Sequence, residues 1–215
     1  MPKASGSVMK RLSDGSQLEQ KYLQMTTKKR ILLASNSPRR RELLSGLGVD
    51  YQVRLLPDID ESFPPHLSAE EIPQHISRNK ADAYAVEEDE LLITADTIVY
   101  CKGEVLGKPI DEADACRMLR KLSGCTHQVV TGVTLKTREL VRTFSCTTQV
   151  TFAELSDEEI AYYVQHYAPY DKAGAYGVQE WIGFVGVTRL EGSYFNVMGL
   201  PVQKLYTELK KINAI

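Results

Sequence analysis

Residues 31 to 44, "ILLASNSPRRRELL", place an apolar run, a Ser-Asn-Ser-Pro corner and three consecutive arginines next to one another. A buried strand that passes through such a corner into a helix leaves backbone N–H groups and the positive end of the helix dipole facing a crevice. Ser35 and Ser37 add hydroxyls beside them, so the corner is a candidate anion socket. Arg39, Arg40 and Arg41 fall in the first helical turn, where each cation costs about a few tenths of a kcal/mol against the dipole. Stability alone does not select them there; a polyphosphate ligand does. The competing reading is solvated surface charge paired with Glu42 or another acid, and Arg41 is the arginine expected to face solvent.

Other stretches offer complementary groups. "ITADT" sets Asp96 within an apolar strand, where a carboxylate is costly unless it holds a metal, accepts hydrogen bonds or activates water. A turn-forming or helix-capping aspartate is the alternative. The acidic loop "PDIDES" carries Asp58, Asp60 and Glu61, and "NKADAY" and "DKAGAYG" bring Lys80 and Lys172 beside acids and small residues. "GEVLGKP" resembles a P-loop only superficially: it is one residue short between its glycines, and Pro109 stands where Ser or Thr is required. Lys108 remains a point charge for phosphate.

The whole chain confines these possibilities. Its 215 residues carry 26 Lys and Arg against 28 Asp and Glu, a net charge of −2, so any anion site is local and no general pull toward nucleic acid or an anionic membrane exists. No apolar stretch reaches the roughly 20 residues of a membrane span, and no apolar signal region opens the chain. The expectation is a cytoplasmic protein. Asp14 and Glu19 argue against a mitochondrial presequence. Cys101, Cys116, Cys125 and Cys146 form no C-x-x-C pair, and the four histidines are scattered, so oxygen ligands and Mg²⁺ are favoured over zinc.

The elements that must position these groups alternate strand with helix. Residues 1–29 read as a flexible extension with one weak helical face at Leu18, Tyr22 and Met25, and residues 30–215 as one α/β domain with a mixed sheet. "RILLAS" is a buried strand; Ser37 is the N-cap of the helix that follows, with Pro38 at its first position and Gly46 or Gly48 at its stop. "DYQVRLL" is a second strand. A capping box, Ser68 to Glu71, opens a helix over 68–88 in which Pro73 must sit in the first turn or bend the axis. "LLITADTIVYC" is a strand, "KGEVLGKP" a turn, and "DEADACRMLRKLSG" a helix ending at Gly124. "THQVVTGVTLKT" and "LVRTFSCTTQVTF" form a hairpin about Arg138 and Glu139, and a second capping box, Ser156 to Glu159, opens another helix. The loop "DKAGAYG", a β piece "WIGFVGVTRL" and a last helix from near Pro201 complete the chain.

In order, "LLASNSPRRRELL", "DIDE", "NKADAY", "ADTIV", "GEVLGKP", "MLRKLSG", "DKAGAYGVQ" and "GSYFNVMGLP" closely resemble the Maf family of nucleotide pyrophosphatases, relatives in fold of the inosine triphosphate pyrophosphatases. The resemblance covers residues 30 to about 212. It implies a two-lobed fold with a long mixed sheet flanked by helices, a cleft between the lobes and a homodimer. It further implies hydrolysis of a nucleoside triphosphate to monophosphate and pyrophosphate with Mg²⁺ or Mn²⁺. Matching positions imply that Ser35, Ser37, Arg39, Arg40 and Lys80 bind substrate, that Lys108 holds phosphate in the catalytic set, that Glu61 and Asp96 serve the metal, and that Asp96 accepts the proton of the attacking water. Arg39, Thr97 and Gln179 resemble the branch acting on dTTP and UTP, and a Gln amide has the donor and acceptor to pair with the O4 and N3–H edge of uracil or thymine. Two positions depart from the pattern: Thr94 and Glu180 stand where Gly is common. The alternative function is a non-catalytic nucleotide-binding regulator of cell division; a nucleic-acid binder is disfavoured by the net acidic charge.

Overall fold

A computed structural model describes residues 29–215. The expected extension, with Leu18, Tyr22 and Met25, lies outside the described residues apart from Lys29. Seven strands form one mixed sheet: β1 (Arg30–Leu33), β2 (Tyr51–Val53), β3 (Glu90–Cys101), β4 (Glu104–Leu106), β5 (Thr126–Lys136), β6 (Val141–Phe152) and β7 (Val187–Glu191). Their order is β2-β1-β3-β5-β6-β7, with β4 pairing to β3. β1 runs parallel to β2 and β3; the other pairs are antiparallel.

One feature of the pairing creates the cleft. Along the edge of β3 away from β5, β1 pairs with Glu90–Ile93 and β4 pairs with Val99–Cys101. Between them the edge from residue 94 to residue 98 has no strand partner, because β1 ends at Leu33 and the chain leaves the sheet through Ser35-Asn36-Ser37. Asp96 is at the centre of this opening.

Alternation along β3 assigns the faces. Leu91, Ile93 and Ala95 pack with Val133, Leu135 and Phe144 beneath α1 (Pro38–Ser45) and α7 (Val202–Lys211), using Leu43, Leu44, Leu205 and Leu209. Farther along the same face, Val99 and Cys101 join Val129, Val150 and Phe152 beneath α3 (Glu112–Leu122) and α4 (Asp157–Tyr167). A polar layer of Thr97, Thr131 and Asn196 separates these two clusters, which are the cores of the two lobes. On the opposite face α2 (Glu71–Asp82) packs Ile72 and Ile76 against Ile98 and Val130, and Ala81 against Leu32 and Leu92. Gly132, paired with Asp96 across the sheet, permits this approach: a Cβ there would lie 2.2 Å from Pro73 O.

Local signals act as the sequence implies. Ser37 Oγ accepts from Arg40 N, and Ser156 and Glu159 form the reciprocal capping box; Ser68 and Glu71 bond each other reciprocally, but α2 begins only at Glu71, with Glu70 as its N-cap. The hairpin turns at Arg138 and Glu139, closed by Thr137 N donating to Leu140 O at 2.8 Å. Other expectations need correction. β2 is three residues long, and α2 stops at Asp82 because Tyr84 is buried and its hydroxyl ties the chain to Arg54 O and Leu56 N. "GEVLGKP" contains the short strand β4 rather than a turn alone. "WIGFVGVTRL" is half helix: α5 (Trp181–Gly186) precedes β7, with Gly183 pressed against Val178 O. "SYFNVMG" forms α6 (Tyr194–Met198), which periodicity did not reveal because Asn196, its buried residue, is polar. Asn196 Nδ2 donates to Val129 O and Thr148 Oγ1, each at 3.0 Å, pinning α6 to the sheet.

Candidate active site

The open edge of β3 forms the floor of a cleft of about 1200 Å³, walled by the Ser35–Arg41 corner, the loop near Glu61, Lys80 of α2, Lys108, and the segment from Asp171 to Gln179. Its lining includes six cationic side chains against four carboxylates, although the chain as a whole is net acidic. The cleft is therefore a local anion site of the kind its helix N-terminus favours.

The three arginines diverge because adjacent helical residues do not share a face. Arg39 Nη1 reaches Asp171 Oδ2 at 2.7 Å. Arg40 is drawn inward: Nε donates to Gly199 O at 2.8 Å, Nη1 to Ala95 O at 3.0 Å and Ser35 Oγ at 3.4 Å, and Nη2 to Thr97 Oγ1 at 3.0 Å. It thus satisfies one carbonyl on the open edge and straps α1 to the end of α6. Burial lowers its pKa below the ordinary range, with Asp96 opposing that shift and Arg39 adding to it. Arg41 does not stand free in solvent as expected; it folds back to Asn36 O and Oδ1.

The hydroxyls are committed as well. Ser35 Oγ accepts from Ser37 N, and Ser37 Oγ caps the helix. Thr131 Oγ1 donates to Asn196 O, so its single proton is used and Thr97 Oγ1 must donate to Thr131 while accepting from Arg40. Thr97 lines the cleft with its hydroxyl turned toward this chain of bonds.

Across the opening, Lys80 Nζ lies 2.8 Å from Glu61 Oε1 and 2.8 Å from Asp96 Oδ1. Asp96 is 9% exposed, and its Oδ2 takes no hydrogen bond from the described residues. Burial raises the Glu61 pKa, but the Lys80 bond and the charges of Lys80, Lys108 and Arg40 outweigh it and hold the carboxyl below its usual range. Asp60 spends both oxygens on Ser62, and Asp58 turns the chain with a φ of 52°. These acids shape the loop that delivers Glu61. Thr94, the departure before Ala95, is fully buried and donates to Ser77 O at 2.6 Å, joining β3 to α2 just below Asp96.

The remaining wall comes from "DKAGAYGVQ". Gly174, at φ 71°, lies so near Val99 that a Cβ would sit 2.8 Å from Val99 Cγ2, and its N–H donates to Gly107 O. Tyr176 rests on His127, whose Nε2 is 2.7 Å from the phenol oxygen. Burial raises Asp171, yet Lys172 and Arg39 together take it to about 2, so it is a fixed anion. Asp171 is the site residue that sequence reasoning missed; its signal was the "DK" beside small residues, which acquires meaning only once Arg39 is opposite. Gln179 lines the cleft, and its Oε1 is buried with no hydrogen-bond partner among the described residues.

All ten expected site residues, Ser35, Ser37, Arg39, Arg40, Glu61, Lys80, Asp96, Thr97, Lys108 and Gln179, line this one cleft. Two carboxylates on different elements meet at the Lys80 ammonium, and their oxygens are hard donors of the kind Mg²⁺ or Mn²⁺ takes. Among the described residues no group of three or more His, Cys, Asp and Glu side chains could hold a metal by itself, no cysteine is disulfide-bonded, and no helix is long and apolar enough to cross a membrane.

The family model for Maf-like proteins matches residues 30–212. A dTTP/UTP pyrophosphatase of Phocaeicola vulgatus is 63% identical over 192 residues, covering 88% of this chain and 100% of the relative. Another, from Bacteroides fragilis, is 63% identical over 185 residues, covering 85% and 96%. Among solved structures, a HAM1 protein from Coxiella burnetii is similar over 85% of this chain and 99% of its own, at 16% identity and a TM-score of 0.49.

Proposed function

This chain belongs to the Maf-like protein family, and from that premise we propose that it is a nucleoside-triphosphate diphosphatase that hydrolyses dTTP and UTP to the monophosphate and pyrophosphate, clearing the nucleotide pool. The observation that carries this reading is the convergence of Glu61 and Asp96 on Lys80 within a cleft that also gathers Arg39, Arg40, Lys108 and Lys172.

In this mechanism the N-terminus of α1, Arg39 and Lys108 receive the triphosphate, with Arg39 exchanging Asp171 for phosphate oxygen. Arg40 and Ser35 keep the corner in shape. Glu61 and Asp96 hold the divalent cation, Mg²⁺ or Mn²⁺, which when bound offsets negative charge on the phosphates. Asp96 orients a water through its free Oδ2 and takes the proton as the water oxygen bonds to phosphorus; the α–β bridging bond breaks and pyrophosphate leaves with the electron pair. Lys80 fixes the Asp96 carboxylate in place through its 2.8 Å contact with Oδ1. Gln179 supplies an acceptor to the base. Residues 30–215 act as one catalytic domain, and the resemblance implies a homodimer, which light scattering on the purified chain tests.

The deciding experiment is pyrophosphate release from dTTP, UTP, CTP, GTP, ATP and 7-methyl-GTP, with Mg²⁺ and with a chelator. Metal-dependent release from dTTP and UTP is expected. Binding of nucleotides without turnover on any of them would sink the reading in favour of a regulator.

A further inference from the structure

The turn bearing Gln179 is held from behind by side chains that do not line the cleft. Tyr163, fully buried on α4, accepts a hydrogen bond from Gly177 N at 3.0 Å and donates its own proton to Glu180 Oε2. Glu180 N donates back to Gly177 O at 3.0 Å, closing a ring of bonds around the turn. Glu180 Oε1 meets the buried Lys172 ammonium at 3.2 Å, and Lys172 also bonds Asp171, the partner of Arg39. Burial and the Glu180 carboxylate both raise the Tyr163 pKa, so the phenol remains a donor.

The carboxylate also bears on Gln179 itself. A Cβ on Gly177 would lie 2.9 Å from Glu180 Oε2 and 3.0 Å from Gln179 Nε2, so the anion and the amide nitrogen crowd the same side of the turn. The amide nitrogen lies on the side of the turn that carries the anion, and Gln179 Oε1 is the atom without a partner among the described residues. A buried acceptor left unpaired is unfavourable until a ligand donates to it.

We propose that Tyr163 and Glu180 are positioning residues for base selection: they clamp the Gly177–Gln179 turn so that Gln179 Oε1 is a fixed acceptor, selecting a pyrimidine whose N3 carries hydrogen over one whose N3 is itself an acceptor. This rests on the cleft being a nucleoside triphosphate site. Glu180, a departure from the family's common Gly, thereby gains a role.

The test is kcat and KM for UTP and CTP with the full chain and with Tyr163→Phe, Glu180→Ala, Glu180→Gln, Gln179→Ala and the Gln179→Ala/Tyr163→Phe double variant, alongside inhibition by inorganic tripolyphosphate. Tyr163→Phe and Glu180→Ala are expected to lower the UTP-to-CTP ratio of kcat/KM by about tenfold, with the loss in KM for UTP and tripolyphosphate inhibition within about twofold of wild type. Glu180→Gln should regain most of the ratio, because its amide oxygen still accepts from Tyr163, and the double variant should select no worse than Gln179→Ala. An unchanged ratio in Tyr163→Phe, or additive losses in the double variant, would overturn the proposal. Should wild type release no pyrophosphate from any nucleotide, the diphosphatase reading fails by itself, and the same UTP-to-CTP comparison read from dissociation constants still decides the role of Tyr163.

Discussion

Lys80 Nζ sits 2.8 Å from Asp96 Oδ1, joining a helix on one face of the sheet to the unpaired edge of its central strand. Both side chains are largely buried, and Glu61, 2.8 Å from the same ammonium, leaves Lys80 a carboxylate partner when Asp96 loses its charge. Asp96→Asn is expected to lower kcat by about three orders of magnitude while nucleotide binding stays within a few-fold, since the amide cannot take a proton. Near-normal turnover in that variant, measured by pyrophosphate release, would remove Asp96 from the chemistry.

Arg39 and Arg40 separate binding from architecture. Arg39 pairs with an exposed carboxylate across the cleft, whereas Arg40 spends its fork on Gly199 O, Ala95 O, Ser35 and Thr97. Arg39→Ala should raise KM about tenfold with stability changed by less than about 1 kcal/mol. Arg40→Ala should cost about 2–3 kcal/mol of stability, because it strands buried acceptors. Denaturant melts beside steady-state kinetics distinguish the two; equal effects on stability would contradict the division.

Gln179→Ala should reduce the UTP-to-GTP ratio of kcat/KM by about tenfold or more, as expected for a side chain that reads a base edge. If competition assays with both nucleotides gave the wild-type ratio, base choice would lie elsewhere in the cleft.

Gly132→Ala should destabilise the chain by about 1–3 kcal/mol through overpacking, because its methyl would meet Pro73 O at 2.2 Å. Displacing α2 from the sheet also moves Lys80 away from Asp96, so kcat should fall along with the melting temperature. A variant with a lowered melting temperature and full kcat would show that the α2 position does not control the site.

His127 is buried, and burial lowers its pKa from 6.5 to about 4. Between those values the unfolded chain binds a proton that the folded chain does not, so its contribution is complete above pH 6.5 and is lost as pH falls toward 4. The full difference is of the order of 3 kcal/mol. His127→Gln should flatten the dependence of stability on pH in that window; an unchanged slope in melts between pH 7 and pH 4.5 would assign the dependence to other groups.

What the sequence determines by itself is local. Ser37 and Ser156 start helices through bonds to residues three positions away, and two β-rich runs with a polar break at Arg138 and Glu139 encode the hairpin of β5 and β6. The identity of the cleft residues was legible too, because short motifs carried them. Tertiary structure decides their relations. Asp96 meets Lys80 only because α2 lies on the strand beside Gly132, and Arg39 meets Asp171, 132 positions away, only after the whole sheet has formed. The same arginine triplet thus yields one side chain that reaches across the cleft to Asp171, one that straps two elements together and one that folds back. Short-range hydrogen bonds are written in residue spacing, whereas partners across a sheet depend on register and packing, which no local pattern records.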